Sequence, residues 1–278
     1  VAQYTVPAIR RLQLGRELRD WRHRAGLTLG QAAGDLDMSK SALGRIEKGQ
    51  CSLHPLHARA MAELYYVPDD ERERLIDIAR EAVKRNHNLI EGISVDSYPA
   101  LEAEAVAVRN YELAFVPGLL QTEDYARALF TVGTSRDRAR NLRIRMSRGR
   151  LLFGDRPLRF HGIVDESVLT RALSSRTVLA AQLRHLVEIS NLPNVTFQVV
   201  REQAGMYPGL RGAFSVLTFP EDTIADLGYV DHAAGHLQLV RPNQVTELSW
   251  QFNAIAKIAL DEQASRELVN RLADELSS

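Results

Sequence analysis

The sequence predicts a two-domain chain. An all-α N-terminal domain of five helices spans residues 1–86, a connection follows at 87–97, and residues 98–278 form an α+β domain with a mainly antiparallel sheet. Three observations lead there. At 278 residues the chain has room for two domains of ordinary size. Up to residue 86, apolar residues recur at helical spacing between Gly, Ser, Thr and Pro punctuation. Beyond Pro193 the period changes to two, in Val195-Phe197-Val199, Ala213-Ser215-Leu217-Phe219, Ile224 to Val230 and Leu237-Leu239. A composition 45% hydrophobic and 25% charged excludes a disordered or collagen-like chain. Apolar runs fall far short of the ~20 residues that cross a bilayer, so no membrane is expected. The single cysteine, Cys51, allows neither an internal disulfide nor a thiolate zinc cage. No apolar stretch precedes Arg10-Arg11, and the expected location is cytoplasmic.

The first helix carries its stripe at Leu14, Leu18, Trp21 and Ala25 and stops at Gly26. Thr28 then caps a short second helix, Leu29 to Leu36, with Leu29, Ala32, Ala33 and Leu36 inward. Asp37 occupies the turn, where a short polar side chain tolerates the left-handed conformation. Ser39 caps a third helix that ends at Gly49, with Leu43 and Ile46 inward and Lys40, Ser41, Gly44, Arg45 and Lys48 outward. A fourth helix, about Pro55 to Tyr66, places Leu56, Ala60 and Leu64 on one face. Pro68 opens a fifth that reaches about Asn86, with Asp69, Asp70 and Glu71 complementing its N-terminus and Lys84 and Arg85 its C-terminus. His23, His54 and His57 lack metal spacing and read as surface or capping residues.

Two short helices joined by a tight turn, the second cationic on its outer face, form a helix-turn-helix able to enter the major groove. The runs Arg-Ala-Gly-Leu-Thr (24–28), Asp-Leu-Asp-Met-Ser-Lys-Ser-Ala-Leu (35–43) and Arg-Ile-Glu-Lys-Gly (45–49) resemble the Xre-type, phage-repressor-like helix-turn-helix, and the likeness covers residues 14–66. The resemblance implies that Thr28 and Ser39 meet phosphates, that Lys40, Ser41 and Arg45 reach base edges, and that Lys48 meets a phosphate or water. Three positions depart from the pattern: Leu29 stands where Gln is common, Gly44 where Ser is frequent, and Asp37 at the turn glycine.

In the second region, Pro99 starts a helix through Val108, and Phe115 to Tyr125 reads as a short strand or turn with Thr122 capping a helix to about Val132. Residues 136–152 form another helix, Leu158 to Val164 a strand and Val178 to Ser190 a helix. After the period-two segments, Val245 to Leu260 and Ala264 to Leu276 close the chain as helices. The runs 101–105, 116–128, 192–199 and 207–214 resemble the C-terminal domain of WhiJ-like, antitoxin-like regulators of actinobacteria, where it follows an Xre-type helix-turn-helix. That resemblance implies a small partner protein encoded beside the regulator.

Net charge is zero, but its distribution is uneven. Residues 1–50 carry nine Lys or Arg against five Asp or Glu, and residues 136–159 carry nine arginines against Asp137 and Asp155. Basic islands are the footprint of polyanion binding or simply solvated faces. The arginines of 136–150 are spread around every face of their helix, which suits exposure and pairing, contact with DNA, or docking of an acidic partner. Asp231, His232 and His236 form the one acid-histidine cluster, and Gly235 makes them turn residues rather than a helical metal site. Asp165-Glu166 complements the helix starting at Ser167, and Gly205 to Gly209 reads as a hairpin connection. No hydrolase elbow, phosphate-cradling loop or dinucleotide fingerprint occurs.

The expected function is a sequence-specific DNA-binding transcriptional regulator, with no enzyme activity, cofactor or metal. Its partners are a double-stranded operator and a second copy of itself, and its C-terminal domain senses a small-molecule effector or binds a partner protein. The alternative is an antitoxin-like protein that masks a small partner and regulates its own gene.

Overall fold

In a computed structural model, the structure describes residues 7–83, 98–132, 137–171, 175–220, 225–232 and 235–277. The expected connection at 87–97, and Lys84 and Arg85, lie outside them. The chain divides into two compact units, the first built from the elements up to Glu104 and the second from those after Ala105.

The first unit contains α1 (Pro7–Arg24), α2 (Leu29–Asp35), α3 (Lys40–Glu47), α4 (Pro55–Leu64), α5 (Asp69–Ala82) and α6 (Tyr98–Glu102). Its core gathers Leu14, Leu18, Ala32, Ala33, Leu43, Ile46, Met61, Tyr65 and Leu75. Trp21 packs at the margin of that core, half-buried, with the Arg24 guanidinium 4.7 Å from its ring centroid. The sequence reading placed α6 in the second domain; here it lies against α1 in the first unit.

The fourth helix needs a correction. Leu56 is 68% exposed, and the face that packs is Ala58, Met61, Ala62 and the following Tyr65. Small residues let this helix approach its neighbours closely, which an i, i+4 count of leucines does not reveal.

The second unit is a six-stranded sheet built from β1 (Ala107–Glu112), β2 (Arg159–Asp165), β3 (Val195–Val200), β4 (Phe214–Thr218), β5 (Leu227–His232) and β6 (Gly235–Leu239). The order is β3-β2-β1-β4-β5-β6. The sheet is mixed rather than mainly antiparallel: β1 pairs parallel with β2 and β2 parallel with β3, whereas β4, β5 and β6 continue antiparallel. The cause is β1. Residues 107–112, in part read as the end of a helix from Pro99, form the central strand, because α6 ends at Glu102. From β1 the chain returns to β2 through α7 (Glu123–Val132) and α8 (Arg138–Gly149). From β2 it passes to β3 through α9 (Ser167–Thr170) and α10 (Arg176–Ile189). Helical crossovers of this kind are what parallel neighbours require.

Helix α11 (Pro242–Ile258) covers one face of the sheet, where Tyr111, Ile163, Phe214 and Val216 meet Val245, Leu248, Phe252 and Ile255. Helix α12 (Glu262–Ser277) packs on α10 and on β3. The β3 edge is closed by the chain itself: Leu260 N–H donates to the Val199 carbonyl (2.9 Å) and Val199 N–H to Ser265 Oγ (3.1 Å). A second correction concerns the segment 201–213. Since β3 and β4 are not neighbours, it is no hairpin connection but a link across the strand ends, containing two short 3-10 turns.

Candidate nucleic-acid interface

The interface begins with how α2 and α3 are stopped and started. Gly26 ends the first helix at φ +72°. Thr28 then closes a capping box: its Oγ1 accepts from Gln31 N–H (3.3 Å) while its own N–H donates to Gln31 Oε1 (3.0 Å). The Thr28 hydroxyl hydrogen also goes to Gln31 Oε1 (2.7 Å), so this hydroxyl has its acceptor within the box. Asp37 takes the turn at φ +51°, the left-handed conformation expected of it. Ser39 Oγ accepts from Ala42 N–H (3.1 Å) and keeps its hydrogen for an outside acceptor.

Helix α3 is then fixed from beneath. Leu43 and Ile46 are buried, and Gly15 of α1 lies so close that a Cβ there would overlap the Ile46 carbonyl oxygen. Gly49, at φ +68°, passes Leu12 of α1 where a Cβ would come within 2.8 Å of backbone. The strongest anchor is a buried ion pair that sequence reading missed. Arg22 Nε and Nη2 donate to the two oxygens of Glu47 (2.6 and 2.8 Å), and Arg22 Nη1 donates to the Leu27 carbonyl (2.8 Å). This bidentate fork ties the end of α1, the loop after it and the end of α3 together. A signal existed: Arg22 continues the stripe of Leu14 and Leu18 at i+4, so its guanidinium had to enter the core.

What remains outward is the expected face. Lys40, Ser41, Arg45 and Lys48 are exposed on one side of α3, and none of the three cations has an ion pair among the described residues. The N-cap residues Thr28 and Ser39 are exposed as well. Leu29 packs partly into the core, and a Cβ on Gly44 would stand 3.6 Å from its Cδ2, an ordinary contact. His54 caps α4, its Nδ1 accepting from Leu56 N–H (3.3 Å).

In the second unit the acid-histidine cluster is a β-hairpin, with Asp231 opposite His236 across β5 and β6. Among the described residues no three His, Cys, Asp or Glu side chains converge as metal ligands would. Asp165, ahead of α9, accepts from Ser167 N–H (3.0 Å) and Ser167 O–H (2.5 Å) at the start of that helix. It also accepts from Tyr207 O–H (2.5 Å), and because that hydrogen is committed, Tyr111 O–H donates to Tyr207 (2.8 Å). These bonds hold the 207–212 turn on the sheet. Gly209 is required there, since a Cβ would fall 2.6 Å from both tyrosine rings.

Glu112, at the end of β1, has its carboxyl pushed up to about 7 by burial, although Asn110, Arg145 and Arg148 pull it down. Arg145 donates to Gln121 Oε1 (2.9 Å) and lies 5.5 Å from the Phe130 ring centroid. The arginines of α8 are therefore not equivalent, and two of them turn inward.

A capped helix-turn-helix with a cationic second helix defines the class: a DNA-binding, helix-turn-helix regulator. Residues 13–75 match a family described as Helix-turn-helix domain. Residues 95–271 match Domain of unknown function (DUF5753), which spans more than half of the sequence, and the chain belongs to that family. No curated protein and no solved structure matches the chain. Among the described residues no helix is long and apolar enough to cross a membrane.

Proposed function

We propose that the chain is a sequence-specific transcriptional regulator of the WhiJ-like kind, acting as a homodimer on a double-stranded operator. The observation that carries this reading is the exposed face of α3, where Lys40, Arg45 and Lys48 stand without ion pairs among the described residues on a helix anchored from beneath by Arg22 and Glu47. In this reading Lys40, Ser41 and Arg45 read base edges in the major groove. Ser39, with its uncommitted hydroxyl hydrogen, the amide end at Thr28, and Lys48 hold phosphates.

One helix-turn-helix makes few base contacts. Ordinary operator affinity calls for two copies reading half-sites about 34 Å apart. The second domain supplies the dimer contact and receives the signal, a small molecule or a partner protein that binds two states of the dimer unequally. No catalytic step is part of this reading.

The test is binding of the full-length chain to the DNA upstream of its own gene and to a scrambled duplex of equal length, at two salt concentrations, with light scattering of the free protein. Preference for the upstream duplex that survives the higher salt, and a dimer mass, are expected. Equal, salt-quenched binding to both duplexes rejects sequence reading, and a monomer mass rejects the dimer.

A further inference from the structure

Helix α8 sorts its arginines by face. Arg145 and Arg148 turn inward, where a Cβ on Gly118 would meet a nitrogen of each at 2.8 Å, and both act on half-buried Glu112. Arg138 reaches back toward the Thr131 carbonyl (3.5 Å). Arg140, Arg143 and Arg150 recur at spacings of three and seven residues, which puts them with Ser147 on one stripe. Arg143 and Arg150 are exposed and Arg140 half-exposed, and Arg156 and Arg159 lie exposed just beyond. None of these five has an ion pair or a side-chain hydrogen bond among the described residues.

Some surface guanidiniums elsewhere have acidic neighbours, Arg59 with Glu73 (2.9 Å), Arg80 with Asp77 (2.6 Å) and Arg201 with Glu166 (2.8 Å), whereas others, Arg45 of the reading helix among them, have no ion pair among the described residues. Along α8 the nearby carboxylate, Asp137, is occupied in capping, its Oδ1 accepting from Arg140 N–H (2.9 Å). From Arg140 to Arg150 the stripe is about 15 Å long at roughly 1.5 Å per residue. Over that length a duplex presents several phosphates, with one charge per ~1.7 Å of axis. Along the helix stripe itself the side chains at 140, 143, 147 and 150 are Arg, Arg, Ser and Arg, and one large apolar side chain, Phe153, lies exposed beyond it between Arg150 and Arg156. A protein partner would call for apolar anchors at the centre of its contact, whereas a phosphate backbone needs only positioned cations.

Building on the DNA-binding reading above, we infer that the Arg140, Arg143 and Arg150 stripe is a second nucleic-acid contact, gripping the phosphate backbone of duplex DNA without reading its sequence. The α3 face then selects the site and the α8 stripe adds affinity that salt removes.

The test uses full-length protein carrying Arg140→Ala, Arg143→Ala and Arg150→Ala together, titrated with the upstream and scrambled duplexes over a range of potassium chloride. With about 0.9 of logarithmic salt slope per phosphate contact, the slope is expected to become shallower by about 2.7 per protomer, about 5.4 for a bound dimer, and affinity for both duplexes to fall by the same factor. The triple Arg→Lys variant, which keeps the charge, is expected to restore both, and melting of either variant to match the parent. An unchanged slope and affinity in the alanine variant overturns the inference and leaves the stripe to an acidic protein or to water. A parent that binds both duplexes equally rejects sequence reading by α3, while a shallower slope in the variant would still support the stripe.

Discussion

The two units bury charge in opposite ways. In the helical unit Arg22 and Glu47 neutralise each other completely, with both carboxylate oxygens and all of the guanidinium edge in use. In the sheet unit Glu112 sits at the end of a central strand beside Asn110, with Arg145 and Arg148 in its field, and burial still raises its pKa to about 7. The first arrangement is a fastening that ties α1, the loop after it and the reading helix α3 together. The second leaves a carboxyl that titrates near neutrality. A buried charge serves as a structural tie when its partner's geometry matches it, and its pKa is raised when desolvation outweighs the partners.

The largest way to break that contrast is Arg22→Ala, which strands a buried carboxylate. A loss of about 3–5 kcal/mol is expected in the stability of the first unit, measured by denaturant unfolding. Replacing both partners with apolar residues, Arg22→Met with Glu47→Leu, should cost far less. If the single and double variants unfold alike, the pair is no fastening.

Next in size is the reading face that this fastening supports. Arg45→Ala should cost on the order of 1–3 kcal/mol in operator binding and relax base preference, whereas Lys48→Ala should weaken all duplexes alike and lower the salt slope by about one. Competition titrations separate the two roles, and identical behaviour of the two variants would erase the assignment.

Glu112→Gln sharpens the other side of the contrast. The folded carboxyl has its pKa raised above the unfolded value, so the native state holds a proton that the unfolded chain releases. Its contribution to stability is full below about pH 4.5 and is lost as pH rises through about 7. The parent should therefore lose more melting temperature than the glutamine variant between pH 5.5 and pH 8. Parallel melting curves across that range would show that Glu112 does not titrate there.

The smallest effect is expected from Gly44→Ala. Its methyl meets only Leu29 at ordinary distance, and helix propensity favours alanine by roughly 1 kcal/mol. A modest rise in melting temperature with unchanged operator affinity is expected. A loss of affinity would instead mean that DNA comes close to the bare backbone at position 44.

The helical unit was largely legible because its determinants are local. Thr28 and Ser39 cap as their positions require, and Asp37 adopts the left-handed turn. The α4 face was not legible, because burial of Ala58 and Met61 depends on neighbouring helices rather than on the hydrophobicity of Leu56. Nor was the Arg22 and Glu47 pair, whose members stand 25 residues apart. In the sheet unit the period-two strands after Pro193 could be read directly, and β1 could not. Its sequence Ala-Val-Arg-Asn-Tyr-Glu mixes polar and apolar residues on both faces, with Asn110 held by Ser215 (3.0 Å) and Arg109 by Ser249 (2.9 Å).

By itself, then, the sequence determined the helix-turn-helix, its caps, its cationic outer face and the period-two strands after Pro193, since each depends on periodicity and on hydrogen bonds within a few residues. Tertiary structure decided that the sheet is mixed, that Glu47 is the partner of Arg22, and that Arg145 and Arg148 of α8 turn inward while Arg140, Arg143 and the C-cap Arg150 share an outward stripe. Those outcomes depend on which distant groups arrive opposite a side chain, and a strand pairing or an ion pair across the chain leaves no local period to read.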